Sequence, residues 1–272
     1  MSNSAVQDYY AAFGEREWSR LTNPSDGAVE FAVTCALLER HLPTTGRVLD
    51  IGGGPGRYTI WLASKGYRVV LADLSPNLLA IAHDKIASAK LNEQFEAIVE
   101  ADARDLSAWA GASFDAVLSL GPFYHLPDPA HREGAARELG RVLRPGGVAA
   151  VAFMPRLSLL RRTLAIPDER HRVTDAAWLE RLLRHGVFEN DVPGRFTQGY
   201  GAVPSEIPHF FERHGFETVS LSSAESITMS LPNLTDADGS IPSPILSLIV
   251  EASSDPAILG LAGHLVYVGM KR

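Results

Sequence analysis

Aspartates and glycines in the first half of the chain supply the residue types that hold a small ligand. The stretch "RVLDIGGGPGRYTIWLASKG" puts Asp50 just ahead of Gly52, Gly53, Gly54 and Gly56. Glycine lets a backbone approach a ligand closely and take positive φ, and the helix that follows presents unpaired N–H groups. A strand, a glycine loop and a helix in that order suit several adenine nucleosides. The dinucleotide fingerprint is G-x-G-x-x-G, with pyrophosphate on the helix N-terminus. Here the spacing is G-x-G-x-G, and Arg57 stands where the third fingerprint glycine belongs. A carboxylate such as Asp50 is unfavourable beside pyrophosphate and favourable beside a cation. The loop therefore suits a cationic, phosphate-free nucleoside.

Two more acids narrow the ligand. Asp73 ends the next apolar run, where a carboxylate can accept both ribose hydroxyls. Asp102, in "EADARDL", stands where it can accept from an adenine amino group, with Ala103 beside it; a solvated turn acid is the plainer alternative. Ammonium, sulfonium, ribose and adenine together describe S-adenosylmethionine. Around this set, Tyr9, Tyr10 and Trp18 can cap a sulfonium through cation–π attraction, or can simply pack an N-terminal helix. Arg20 can reach the ligand carboxylate or remain solvated. His125, in "GPFYHL", is the candidate general base, because imidazole titrates near neutrality. Its alternative role is to orient the loop.

Other chemistries lack their residues. His171, His185, His209, His214 and His264 follow no ligand spacing such as H-E-x-x-H, so no metal site is predicted. Cys35, in "EFAVTCALLER", is the one cysteine and reads as a small buried hydrophobe on a helix. No G-x-S-x-G marks a hydrolase elbow. Arg161, Arg162, Arg170 and Arg172 alternate with Asp168, Glu169 and Asp175, the pattern of a solvated helical face.

The elements that must position these residues follow from periodicity. "RVLDIG", "YRVVLADLS", "FEAIVEADARDL", "FDAVLSLG" and "VAAVAFM" are strands, separated by the helices "GRYTIWLASKG", "PNLLAIAHDKIASAKL" and "DPAHREGAARELGRVL". Ser75–Pro76 and Asp128–Pro129 are N-cap and first-turn pairs. "RPGG" reads as a turn. Near-continuous apolar strands alternating with helices imply a doubly wound parallel α/β sheet. Residues 155–200 break the alternation and read as a helical lid insertion, with an irregular stretch around Gly194, Gly199 and Gly201. "ETVSLSSAES", the helix "SPILSLIVEASS" and the strand "HLVYVGMKR" follow.

The stretches "VLDIGGGPGRYTIWLA", "VVLADLSPNLLAIA", "EADARDL", "FDAVLSLGPFYHL" and "ELGRVLRPGGVAAVAF" resemble the class I S-adenosylmethionine-dependent methyltransferases, in family order over residues 47–153. The closest likeness is to the small-molecule branch related to quinone-biosynthesis methyltransferases. The resemblance implies a Rossmann-like methyltransferase fold, a seven-stranded mostly parallel sheet whose last strand is antiparallel. It implies one domain: an N-terminal helical cap over 1–45, a cofactor-binding half over 46–154, the lid over 155–200, and 201–272 completing the sheet with an insertion at about 225–260. It adds Leu74, Leu120 and Gly121 to the cofactor contacts, and places Tyr124 and His125 toward the substrate.

Composition sets the outer bounds. Hydrophobic residues make up 46% and the formal net charge is −7, so a polyanion is a poor first partner. No basic start leads into an apolar run and no apolar run is long enough to span a bilayer, so neither signal peptide nor membrane partner is predicted and a cytoplasmic location follows by default. A homodimer is compatible with the sequence. The expected function is methyl transfer from S-adenosylmethionine to a small-molecule acceptor, O-methylation first. "LGPFYHL" replaces an N-P-P-Y-type motif, which counts against methylation of nucleic-acid bases and amides. Alternatives are an N- or C-methyltransferase on a metabolite or peptide, a nicotinamide-dependent oxidoreductase, and a non-catalytic adenosyl-ligand-binding module.

Overall fold

Short apolar runs between helix caps build the sheet. In the computed structural model the described residues are 10, 13–22, 27–190, 192, 196, 198–228, 231, 234–236 and 240–272. Two N-terminal helices, α1 (Glu15–Arg20) and α2 (Gly27–His41), precede β1 (Arg47–Ile51). Then come α3 (Arg57–Ser64), β2 (Arg68–Asp73), α4 (Pro76–Ala89), β3 (Phe95–Glu100) and β4 (Phe114–Ser119). A 3₁₀ turn at Pro122–His125 leads to α5 (Pro129–Val142) and β5 (Leu143–Pro155). The two expected caps form. Leu78 N–H donates to Ser75 Oγ at 3.4 Å, and Ala130 N–H donates to Asp128 Oδ1 at 2.8 Å.

β5 begins earlier than expected. The "RPGG" stretch belongs to the strand, because Leu143 pairs with Phe114 before a register shift, and Gly146 takes φ 75° in between. The expected turn is therefore a bulge inside a pairing strand.

The lid follows β5 with α6 (Arg156–Ala165), a 3₁₀ segment Pro167–Thr174, and α7 (Ala176–Glu180) running into a π-turn at Arg181–His185. Two strands come next, β6 (Val187–Glu189) and β7 (Gln198–Ala202). The sequence reads this region as irregular; instead β7 pairs with the end of β5 through Met154↔Gly201 and Pro155↔Ala202, and β6 lies antiparallel to β7. Gly199 fits because a Cβ there would lie 2.6 Å from Phe196 ring carbons and from the Tyr124 carbonyl oxygen. Close approach, rather than loop freedom, explains that glycine.

The remaining elements are α8 (Glu206–Glu212), β8 (Phe216–Ser223), α9 (Ser243–Ala252), α10 (Pro256–Leu259) and β9 (Leu265–Lys271). The central strand order is β3-β2-β1-β4-β5-β9-β8, with β9 antiparallel to both neighbours and the first five strands parallel. This is the expected seven-stranded sheet, extended by β7 and β6. One core, with Phe114, Phe123, Phe211 and Tyr267, fills one face, and a second, with Val33, Leu37, Leu38 and Leu62, fills the other. Phe211 and Tyr267 stack at 4.3 Å. Cys35 is buried on α2, as expected. Among the described residues no helix is long and apolar enough to cross a membrane.

Parallel strands share one carboxyl edge, so the residues that follow β1, β2, β3 and β4 converge there.

Candidate functional site

A cavity of about 360 Å³ opens at that edge. The loop after β1 lines it with Gly52, Gly53 and Gly54, and β1 itself contributes Asp50. Gly52 and Gly53 both donate backbone N–H bonds to the Ala72 carbonyl, at 2.7 and 3.3 Å, which ties the loop to β2. Gly56 does not face the cavity. It caps α3 at φ 84°, and a Cβ there would lie 3.4 Å from Leu71 and 3.6 Å from Ala82. Its role is to turn the chain and let α3 pack on the sheet, which corrects its expected ligand contact.

The acids stand at successive strand ends. Asp50 is 1% exposed and accepts from Thr59 Oγ1 at 2.6 Å. Burial pushes its pKa to about 7, against the Thr59 bond, and the Asp73 charge adds to the rise. Asp73 accepts from Gly54 N–H and Ser75 N–H, both at 2.8 Å. Burial still raises its pKa to about 6. Among the described residues no ion pair involves either acid. Two buried carboxyls without a cationic neighbour suit a ligand that brings positive charge and hydroxyl donors.

Leu74, Asp102, Ala103, Leu120 and Gly121 also line the cavity. The Asp102 carboxylate is gripped by Arg104, whose Nε lies 2.9 and 3.0 Å from its two oxygens. Arg104 reaches His131 as well, and both line the cavity. Its position two residues after Asp102 was a readable signal. Arg20 lines the cavity and is paired with Glu17 at 3.0 Å and Glu30 at 2.6 Å, so it is not a solvated arginine.

At the other end, Tyr10 Oη and His125 Nε2 share a hydrogen bond of 2.8 Å. Burial lowers the His125 pKa to about 4, although the Gln198 backbone favours its charged form. The ring is neutral at pH 7. It sits against Tyr124, with centroids 4.9 Å apart, and against Phe196 from the lid, at 5.0 Å. Tyr124 Oη donates to the Leu120 carbonyl at 3.2 Å. Tyr10 lines the cavity, as expected of a cap, and at the same time meets the imidazole. Trp18 stacks on Arg57 at 4.2 Å and Lys85 at 5.1 Å and does not line the cavity. Tyr9 lies outside the described residues.

The lid departs from the expected solvated face in part. Arg161 and Arg170 are exposed, but the Arg162 guanidinium lies 5.6 Å from the Phe196 ring centre, and Arg172 donates to Asn190 Oδ1 at 2.8 Å. His264, far from any other histidine in sequence, meets Glu225 at 3.0 Å and Glu30 at 3.6 Å. Their ligand atoms all lie within 4.8 Å of one another. The Arg20 guanidinium on Glu30, and the Gly263 and His264 N–H groups on Glu225, fill this cluster with donors, which disfavours a metal ion.

Residues 48–147 match the family described as a methyltransferase domain. A methyltransferase named GfsG from Streptomyces halstedii is 40% identical over 107 residues, 39% of this chain and 37% of that protein. A ubiquinone biosynthesis O-methyltransferase from Xanthomonas axonopodis pv. citri is 32% identical over 188 residues, 66% of this chain and 70% of that protein. The chain spans between 37% and 56% of the length of the first curated relatives it matches. In fold it is similar to the Burkholderia thailandensis 1,6-didemethyltoxoflavin-N1-methyltransferase, solved with S-adenosylhomocysteine, at a TM-score of 0.60 and 17% identity over 98% of this chain and 88% of that one. Asp50 and Asp73, without an ion pair among the described residues, fit a cationic nucleoside such as S-adenosylmethionine. The chain belongs to the S-adenosylmethionine-dependent methyltransferases.

Proposed function

We propose that the chain transfers the methyl group of S-adenosylmethionine to a hydroxyl of a small-molecule acceptor. The donor supplies a methyl carbon activated by its sulfonium. On this reading Asp73 accepts the ribose hydroxyls, Asp102 the adenine amino group, and Asp50 faces the ammonium side beside Gly52–Gly54. Arg20 receives the carboxylate. Leu74, Ala103, Leu120 and Gly121 pack around the nucleoside.

The Tyr10–His125 bond carries the preference for oxygen. A neutral imidazole with its proton on Nδ1 accepts a hydroxyl hydrogen at Nε2, and Tyr10 shows that a hydroxyl fits there. An acceptor hydroxyl takes that position, with its proton held at His125 Nε2. Tyr124 and Phe196 exclude water around it. The limited cavity volume supports a small acceptor, and the net charge of −7 supports one that is not a polyanion.

The test uses donor carrying a labelled methyl group and a panel of phenols, aliphatic alcohols and amines. Methyl ethers are expected. His125→Ala should lower kcat by about 10²–10⁴, with S-adenosylhomocysteine affinity unchanged. Methylated amines alone would overturn the oxygen preference, and near-normal turnover would leave His125 an orienting role.

A further inference from the structure

Behind the Arg20 wall of the cavity, three distant segments meet in one buried ionic cluster. Glu30 comes from α2, Glu225 from the loop after β8, and His264 from the approach to β9. Glu30 Oε2 is shared: Arg20 Nη1 donates to it at 2.6 Å, and His264 Nδ1 lies 3.6 Å away. Glu225 fixes the other side, accepting from the Gly263 and His264 N–H groups at 3.0 Å and lying 3.0 Å from His264 Nδ1. The cluster's three residues stand outside the cavity lining, and Arg20, which lines the cavity, reaches it through Glu30.

We propose that His264, clamped by Glu225, is a positioning residue for donor binding. As an imidazolium it shares Glu30 with Arg20, so that Arg20 keeps positive field for the donor's carboxylate. This rests on the reading of Arg20 as the carboxylate receptor. The charged groups facing His264 are Glu30, Glu225 and, beyond Glu30, Arg20; the Tyr124 ring lies 5.9 Å away. Burial alone lowers the His264 pKa, but Glu30 and Glu225 outweigh it and hold the pKa above the ordinary value. When His264 loses its proton, the charge behind Arg20 becomes more negative and carboxylate binding weakens. The loss therefore falls on the alkaline side of an ordinary histidine's titration.

The probe is the desamino analogue of S-adenosylhomocysteine, which keeps the carboxylate and lacks the titrating amine. Methylthioadenosine, without either group, is the control. Calorimetry on the full chain should show the analogue's affinity falling roughly fivefold as pH rises through the His264 pKa, while methylthioadenosine does not follow. His264→Gln should abolish that step. Proton uptake on binding the analogue, measured in two buffers of different ionisation enthalpy, tests the unaltered protein should the variant not fold. A pH-independent affinity without proton uptake, or a step retained in His264→Gln, overturns the proposal. Arg20→Gln separates the two layers. If it weakens the analogue while His264→Gln does not, the carboxylate receptor stands and the positioning role falls. If it changes nothing, the receptor reading fails and takes the proposal with it.

Discussion

At pH 7 a carboxyl with a pKa of about 7 is half ionised, and Asp50 is such a group because burial withdraws it from water. Below about pH 3 its side chain is protonated in both folded and unfolded chains, and it imposes no penalty. As pH rises toward 7 the unfolded chain ionises freely while the folded one holds the proton, so stability falls across that window and levels above it. Asp50→Asn keeps an acceptor for Thr59 and removes the charge. It should stabilise the free protein by ~1–4 kcal/mol at about pH 8 and leave it nearly unchanged at about pH 3. Donor affinity should fall at the same time, a trade common where a site is built against stability. Denaturant unfolding at the two pH values, with a donor titration, reads both effects. An equal gain at both pH values would show that ionisation is not the cause.

Gly199 shows how β7 reaches the chemistry. Its missing Cβ leaves room for the Phe196 ring, which packs on His125. Gly199→Ala would press on a backbone oxygen and a ring at once, and only the ring can yield. Overpacking of this kind destabilises by about 1–3 kcal/mol, and displacing Phe196 should lower turnover while S-adenosylhomocysteine affinity holds. Melting temperature, calorimetry and rate together check it; a matching loss of product affinity would mean that the donor loops moved too. Helices α4 and α5 were legible because Ser75–Pro76 and Asp128–Pro129 act locally. β7 was not, because its pairing with β5 rests on two residue pairs at a strand end and its sequence, "QGYGA", carries turn-like glycines. The Tyr10–His125 bond joins residues 115 apart, beyond any local pattern.

Across the whole molecule, legibility divides along the same line. Asp50, Asp73 and Asp102 could be read from sequence because a parallel sheet delivers every strand's carboxyl end to one edge. The Glu30–His264–Glu225 cluster could not, because it joins α2, the loop after β8 and the approach to β9, segments far apart in sequence. If both sets act as proposed, they couple binding to global stability. On the proposed reading S-adenosylhomocysteine binds with Asp50 and Asp73 ionised, so at about pH 5 part of its binding energy goes into removing their protons. At about a hundredfold excess over Kd a ligand stabilises by about 2.7 kcal/mol, or roughly 5–10 °C in melting temperature for a chain of this size. That gain should be largest near pH 7, smaller at about pH 5 where both acids retain protons, and smaller again on the alkaline side where His264 has lost its own. Thermal melts with S-adenosylhomocysteine trace the acid limb, and melts with the desamino analogue, which lacks the titrating amine, trace the His264 limb. A shift of constant size would mean that neither the acids nor the imidazole changes its proton occupancy when the site fills.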